Sequence, residues 1–127
     1  MEKHGFEDAA VAAVFAGYPA RERKALLALR SRIFEVAAKN GIALSEALRW
    51  GQPAYLAAKG STIRLGLPKT GGYAIYAHCQ TTLISDLRLL APELRFEGNR
   101  AVHFSCDETP SDVLDLLIHS ALTYHMA

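Results

Sequence analysis

Near its middle the chain reads Arg49-Trp50-Gly51-Gln52-Pro53-Ala54-Tyr55, and the residue pattern changes there from helical to strand-like spacing. Gly51 is free to adopt positive φ. Pro53 has no backbone donor and pushes Gln52 towards extended geometry. A strand at this place is therefore expected to be short, bulged or at the edge of a sheet. The only tryptophan, Trp50, is expected to be buried.

Before this stretch the spacing predicts two helices. The first covers residues 6–16 and ends at Tyr18-Pro19, because a residue before proline is pushed away from helical angles. The second runs from about Ala20 to Lys39 and stops at Asn40-Gly41. Residues 42–50 are ambiguous, and we expect a helical turn there followed by a strand. In the second helix an apolar stripe is predicted at Leu26, Leu29, Ile33, Val36 and Ala37, with Arg23, Arg30, Arg32, Glu35 and Lys39 largely outside it.

After Pro53 the apolar period changes to two, which is typical of strands. Turn signals at Lys59-Gly60 and at residues 68–72 join three strands into an antiparallel meander. A helix over residues 81–90 and a hairpin turning at Gly98-Asn99 follow, and Thr109-Pro110-Ser111-Asp112 is expected to open a last helix. The sequence thus predicts an α+β fold: an antiparallel sheet of about five to six strands, with two N-terminal helices, one inserted helix and one C-terminal helix on one side.

The composition predicts one soluble domain. The chain has 127 residues, half of them hydrophobic, and a formal charge of +1, so neither nucleic acid nor an anionic membrane is an expected partner. No apolar run of signal-peptide or membrane-spanning length occurs, and we expect a cytoplasmic protein. Cys79 and Cys106 are expected to be buried free thiols rather than a disulfide.

The chain resembles the YdhG-like family of small bacterial proteins, a domain of unknown function. The resemblance covers nearly all of the chain and is carried by residues 50–55, the Lys59-Gly60 turn, the hairpin of residues 94–104 and Thr109-Pro110. It implies a single YdhG-like domain over residues 1–127, with a sheet and flanking helices like those of frataxin. Some relatives are described as iron chaperones, so the resemblance implies intracellular iron binding as an alternative function. It supplies no catalytic residue.

Iron would be the only cofactor, and only under that alternative. A hard iron site needs clustered carboxylates, whereas the acidic residues of the first helices are interspersed with cations that repel a metal ion. These are Glu2, Glu7, Asp8, Glu22 and Glu35, among Arg21, Arg23, Lys24, Arg30, Arg32 and Lys39.

No spacing in the chain predicts catalysis or a metal site. The serines and cysteines match no nucleophile pattern. His78 with His103, or Cys79 with Cys106, supply at most two ligands on one face of a sheet, where zinc takes at least three. The glycines and lysine of residues 69–72 suit an anion nest, but the strand-to-strand context favours a hairpin turn.

The candidate site lies on the second face of the predicted sheet. If Ile63, Leu65 and Ile75 point at the helices, the residues between them point away. Aromatic rings with polar tips and an arginine are suited to a small anionic or planar ligand or a protein partner. The alternatives are a solvated face or a homodimer contact. We therefore expect a non-enzymatic binding module whose face carries Arg64, Tyr76, His78, Glu97 and His103, bordered by Trp50, Gln52 and Tyr55.

Overall fold

The computed structural model describes residues 5–126, which form four helices and six strands. All strand pairs are antiparallel, and the six strands lie in the order β1-β2-β3-β4-β6-β5. The helices pack on one side of this sheet, so the predicted α+β fold is confirmed. The helices are α1 (Ala9–Gly17), α2 (Ala20–Lys39), α3 (Leu83–Leu90) and α4 (Val113–Leu122), and the strands are β1 (Ser45–Arg49), β2 (Gln52–Leu56), β3 (Ile63–Gly66), β4 (Tyr73–Ala77), β5 (Arg95–Glu97) and β6 (Ala101–Phe104).

The core lies between the sheet and the helices. Ile63, Leu65 and Ile75 are fully buried, as the alternation in their strands predicted. The predicted apolar stripe of α2 meets them in one continuous cluster that also includes α4. Within residues 5–126, no helix has the length and apolar character needed to cross a bilayer. Glu2 lies outside the described residues.

The hairpin of β1 and β2 replaces the helical turn that was expected before Trp50. Arg49 pairs with Gln52, which leaves Trp50 and Gly51 as a two-residue turn. Both have positive φ, 55° and 75°, which is the signature of the type I′ turn that matches the twist of a hairpin. The turn allows β1 to pair with β2 over its whole length, and this tertiary pairing outweighs the helix propensity of residues 45–48.

Pro53 sits in an inner strand, not at the edge of the sheet. It lies opposite Leu48, next to the Arg49–Gln52 pair that closes the turn. Hydrogen-bonded and non-bonded pairs alternate in an antiparallel ladder, so β1 does not need the donor that proline lacks. Pairing of β2 with β3 involves only Ala54 and Tyr55. The strand is short, as predicted.

Several boundaries differ from the predictions; the inserted helix, for example, begins at Leu83 rather than at residue 81. The first helix begins at Ala9, because the Asp8 carboxylate accepts the N–H groups of Ala10 and Val11. The last begins at Val113, because the guanidinium of Arg32 binds the carbonyls of Pro110 and Ser111 at 2.7 and 2.8 Å and holds residues 109–111 outside the helix. The final hairpin has a loop of three residues, 98–100, rather than two.

Trp50 is 90% exposed, which contradicts the expectation that it is buried. The indole projects from the turn because the left-handed backbone turns its side chain away from both strands. A large side chain at positive φ is unfavourable. The fold therefore gains no buried contact from Trp50 and carries the backbone strain of its position.

We expect Trp50→Asn to raise the free energy of unfolding by about 1 kcal/mol, because Asn-Gly is the preferred pair for a type I′ turn. Urea denaturation of the two proteins measures this difference. The matched control is Gly51→Ala, which has open space for a Cβ atom but a φ of +75° and should cost about 1–2 kcal/mol. A lower stability for Trp50→Asn would show that the indole supports the fold.

Candidate functional site

The face of the sheet turned away from the helices, called the outer face below, is built from alternate residues of neighbouring strands. Arg64 of β3 lies opposite Ala54 on one side and Tyr76 on the other, and Tyr76 lies opposite Ala101. The alanines leave room for the larger side chains to lie flat. Tyr76 packs with Ala74 and Ala101 and is only 7% exposed, so the centre of the outer face is ordered without a helix covering it.

Arg64 is the central cation of the outer face. Its Nη1 donates to Gln52 Oε1 at 2.5 Å, and its guanidinium carbon is 5.5 Å from the Tyr76 ring centroid. Burial lowers the pKa of Arg64, and the nearby charge of Arg100 lowers it further. An arginine stays charged despite such a shift. Its charge is held half-buried beside a second cation, and its hydrogen-bond partner is neutral.

On β5 and β6, the carboxylate of Glu97 interacts with two basic side chains of the outer face. Glu97 Oε1 lies 2.8 Å from His103 Nε2, and Glu97 Oε2 lies 3.3 Å from Arg100 Nε. Burial raises the pKa of Tyr76, and the carboxylate of Glu97 adds to the rise. Glu97 therefore balances Arg100, while no carboxylate of residues 5–126 pairs with Arg64.

Arg49 extends this positive surface to the end of the β1–β2 hairpin. It pairs with Gln52 and so faces the same side as Arg64. Its Nη1 donates to the carbonyl of Leu48 at 2.9 Å, a neutral partner. Neither Arg49 nor Arg100 was singled out from the sequence. Arg49 could have been found from a hairpin turn at Trp50-Gly51, which pairs it with Gln52. Arg100 could have been found from its position three residues after Glu97.

Five of the residues predicted for this face meet on it: Gln52, Arg64, Tyr76, Glu97 and His103. His78 follows the end of β4 in an exposed turn, where its Nδ1 accepts the N–H of Gln80 at 3.1 Å. Trp50 borders the face at the hairpin end, although it is exposed rather than packed.

Tyr55 does not lie on this face. It is fully buried on the helix side, where its hydroxyl donates to Glu46 Oε2 at 2.7 Å and its ring meets Phe34 edge-on. Burial raises the pKa of Tyr55, and the Glu46 carboxylate raises it further. The reason is the period of the strand: Gln52 and Tyr55 are three residues apart in β2 and must point to opposite sides.

The largest cavity beside the outer face does not select anions. Its volume is about 470 Å³, and it opens at the end of the sheet between Gly72 and Cys106, with Arg21 and Arg95 in its wall. Arg21 pairs with Asp107 at 2.9 Å and Arg95 pairs with Glu108. The hydrogen bond from the backbone N–H of Ser105 lowers the pKa of Glu108, and the hydrogen bond and positive charge of Arg95 lower it further. Each cation in the wall is already balanced.

Both cysteines are free thiols, as expected, but neither is buried. Cys79 is exposed and Cys106 is half-buried, which contradicts the prediction of burial. Cys79 lies two residues beyond the end of β4 at Ala77, where alternation no longer places a side chain in the core. Within residues 5–126, no three histidine, cysteine or acidic side chains are grouped so as to hold a metal ion.

The fold and the outer face together define an α+β domain with one helix-free, positively charged sheet surface. The chain matches no protein-family model, and neither curated proteins nor solved structures include a significant match to it.

Proposed function

We propose that this chain is a binding domain whose outer face takes an anionic group, carried by a small molecule or by a partner protein. The observation that supports the proposal is Arg64. Its guanidinium is half-buried against Tyr76, has Arg100 as a charged neighbour and hydrogen-bonds only a neutral amide. A bound carboxylate or phosphate would relieve the repulsion between the two cations and accept bidentate hydrogen bonds, which are stronger than neutral ones.

The test is titration of the ¹⁵N-labelled protein with inorganic phosphate and with citrate, followed by amide chemical shifts. We expect saturable shifts centred on β3, β4 and the loop of residues 98–100. Arg64→Gln should weaken binding about tenfold or more, because a hydrogen bond to a charged group contributes about 1.5–3 kcal/mol.

Arg23→Gln is the matched control. Arg23 is also half-buried and also hydrogen-bonds only a neutral oxygen, the carbonyl of Ala16 at 3.1 Å, but it lies in the helix layer. Its removal changes the net charge equally and should leave binding unchanged. Equal weakening by both variants, or shifts confined to the walls of the cavities, would refute the assignment to the outer face.

A further inference from the structure

We infer that the partner of the outer face is an acidic segment of another protein, anchored by Trp50. This inference rests on the proposed function and specifies its ligand. It is supported by three independent observations: the placement of Trp50, the position of Arg64 and Tyr76 outside the larger cavities, and the distribution of charges that lack a carboxylate partner.

Trp50 occupies a position that the isolated domain would fill better with another residue. It is 90% exposed and has a φ of 55° in a turn where asparagine is preferred. Backbone strain of this kind is found at ligand clamps and switch regions. Tryptophan is also the residue type most enriched among the side chains that dominate binding energy at protein interfaces, together with tyrosine and arginine.

The centre of the outer face lies outside the larger cavities of the described residues. Cavities of about 320, 470 and 550 Å³ occur in the described part of the chain, and neither Arg64 nor Tyr76 lines any of them. The 470 Å³ cavity reaches only the border of the face, at His103 and Arg95. Small molecules bind in clefts that bury most of their surface, whereas a surface outside such clefts that exposes arginine and tryptophan is typical of a protein interface.

The charges on this surface favour an acidic partner. Arg49 stands beside Trp50, and Arg64 lies farther into the sheet; their hydrogen-bond partners are the Leu48 carbonyl and the Gln52 amide, both neutral. Arg100 shares the carboxylate of Glu97 with His103. A segment with acidic residues would complement both arginines, and complementarity of this kind raises the association rate and makes it sensitive to salt.

Trp50 is the only tryptophan of the chain, so tryptophan fluorescence, excited at a wavelength where the five tyrosines do not absorb, reports on this position alone. The probe is a synthetic peptide of repeated Glu-Glu-Leu, with repeated Lys-Lys-Leu as the charge-inverted control. We expect the acidic peptide to shift the emission to shorter wavelength in a saturable manner, less strongly at high salt. The lysine peptide should leave the emission unchanged.

Trp50→Asn tests the anchor without endangering the fold, because the turn accepts asparagine. Amide chemical shifts replace fluorescence as the readout for this variant. We expect the affinity of Trp50→Asn for the acidic peptide to fall at least about tenfold, and its affinity for phosphate to stay unchanged. Arg23→Gln should bind the acidic peptide and phosphate like the unaltered protein.

Three results would overturn the inference, and they are distinguishable. If the acidic peptide and phosphate both shift amides near Arg64 but Trp50→Asn binds the peptide normally, the anion-binding face stands and the anchor does not. If neither probe shifts these amides, the proposed function fails as well. If sedimentation detects a dimer that Trp50→Asn dissociates, the partner is a second copy of the chain.

Discussion

Replacing Arg30 by methionine is expected to cost about 3–5 kcal/mol of unfolding free energy, because it leaves the carboxylate of Glu46 buried without its cation. A domain of this size has a total stability of about 5–15 kcal/mol. The variant should therefore lose a large part of its stability, and urea denaturation measures the loss directly.

The geometry around Arg30 explains the size of this effect. Arg30 is 1% exposed, and its Nε and Nη2 donate to the two carboxylate oxygens of Glu46 at 2.6 and 3.0 Å. Its guanidinium carbon lies 4.0 Å from the ring centroid of Phe6 and 4.8 Å from that of Phe34. Tyr55 donates to the same carboxylate. This cluster ties α2 to β1 and β2, so the hairpin that carries Trp50 depends on it.

Two further variants separate the buried pair from the loss of an arginine as such. Arg21 lies on the same helix as Arg30, and Arg21→Met removes its exposed ion pair with Asp107. This change should cost less than about 1 kcal/mol. A triple variant, Arg30→Met with Glu46→Leu and Tyr55→Phe, removes both charges of the buried ion pair and the hydroxyl that donates to its carboxylate. We expect it to regain most of the lost stability, since an apolar replacement of a buried ion pair is often neutral. A triple variant as unstable as the single one would contradict this account.

Gly72→Ala is expected to cost about 3–5 kcal/mol, combining a steric clash with an unfavourable backbone angle. A Cβ atom at Gly72 would lie 2.2 Å from the carbonyl oxygen of Phe104, and the φ of Gly72 is +72°. Gly72 directly precedes the β4–β6 pairing, where Tyr73 lies opposite Phe104, and the contacted oxygen belongs to the backbone. The clash can be relieved only by separating these central strands.

Gly71→Ala is the matched control for this prediction. Gly71 has a φ of +97° but open space around its position, so alanine there should cost only the backbone term of about 1–2 kcal/mol. Thermal and urea unfolding of both variants give the comparison. Equal losses for the two would mean that the contact with Phe104 is unimportant.

Local pattern was enough to predict the two layers of this fold. The three- and four-residue spacing of Leu26, Leu29 and Ile33 identified the buried side of α2, and the alternation of Ile63 and Leu65 with Arg64 identified the two faces of the sheet. These signals are reliable because helix and strand periods are properties of the backbone itself. The same alternation was sufficient to predict that Arg64, Tyr76 and His103 share one face.

Contacts between elements and the geometry of one turn decided the rest. The ion pair with Glu46 buries Arg30, which the helical pattern had placed outside the apolar stripe, and pairing with β2 makes residues 45–49 a strand despite their helix propensity. The strand register sends Tyr55 into the core, and the positive φ of Trp50 turns its indole into solvent.

The sequence by itself thus determined the element types and the sides of the sheet, because these follow from hydrophobic period. Only the tertiary structure decided which charges are balanced and where the single tryptophan points. The physical reason is that ion pairing and turn geometry depend on which segments meet in space, and no local period records that.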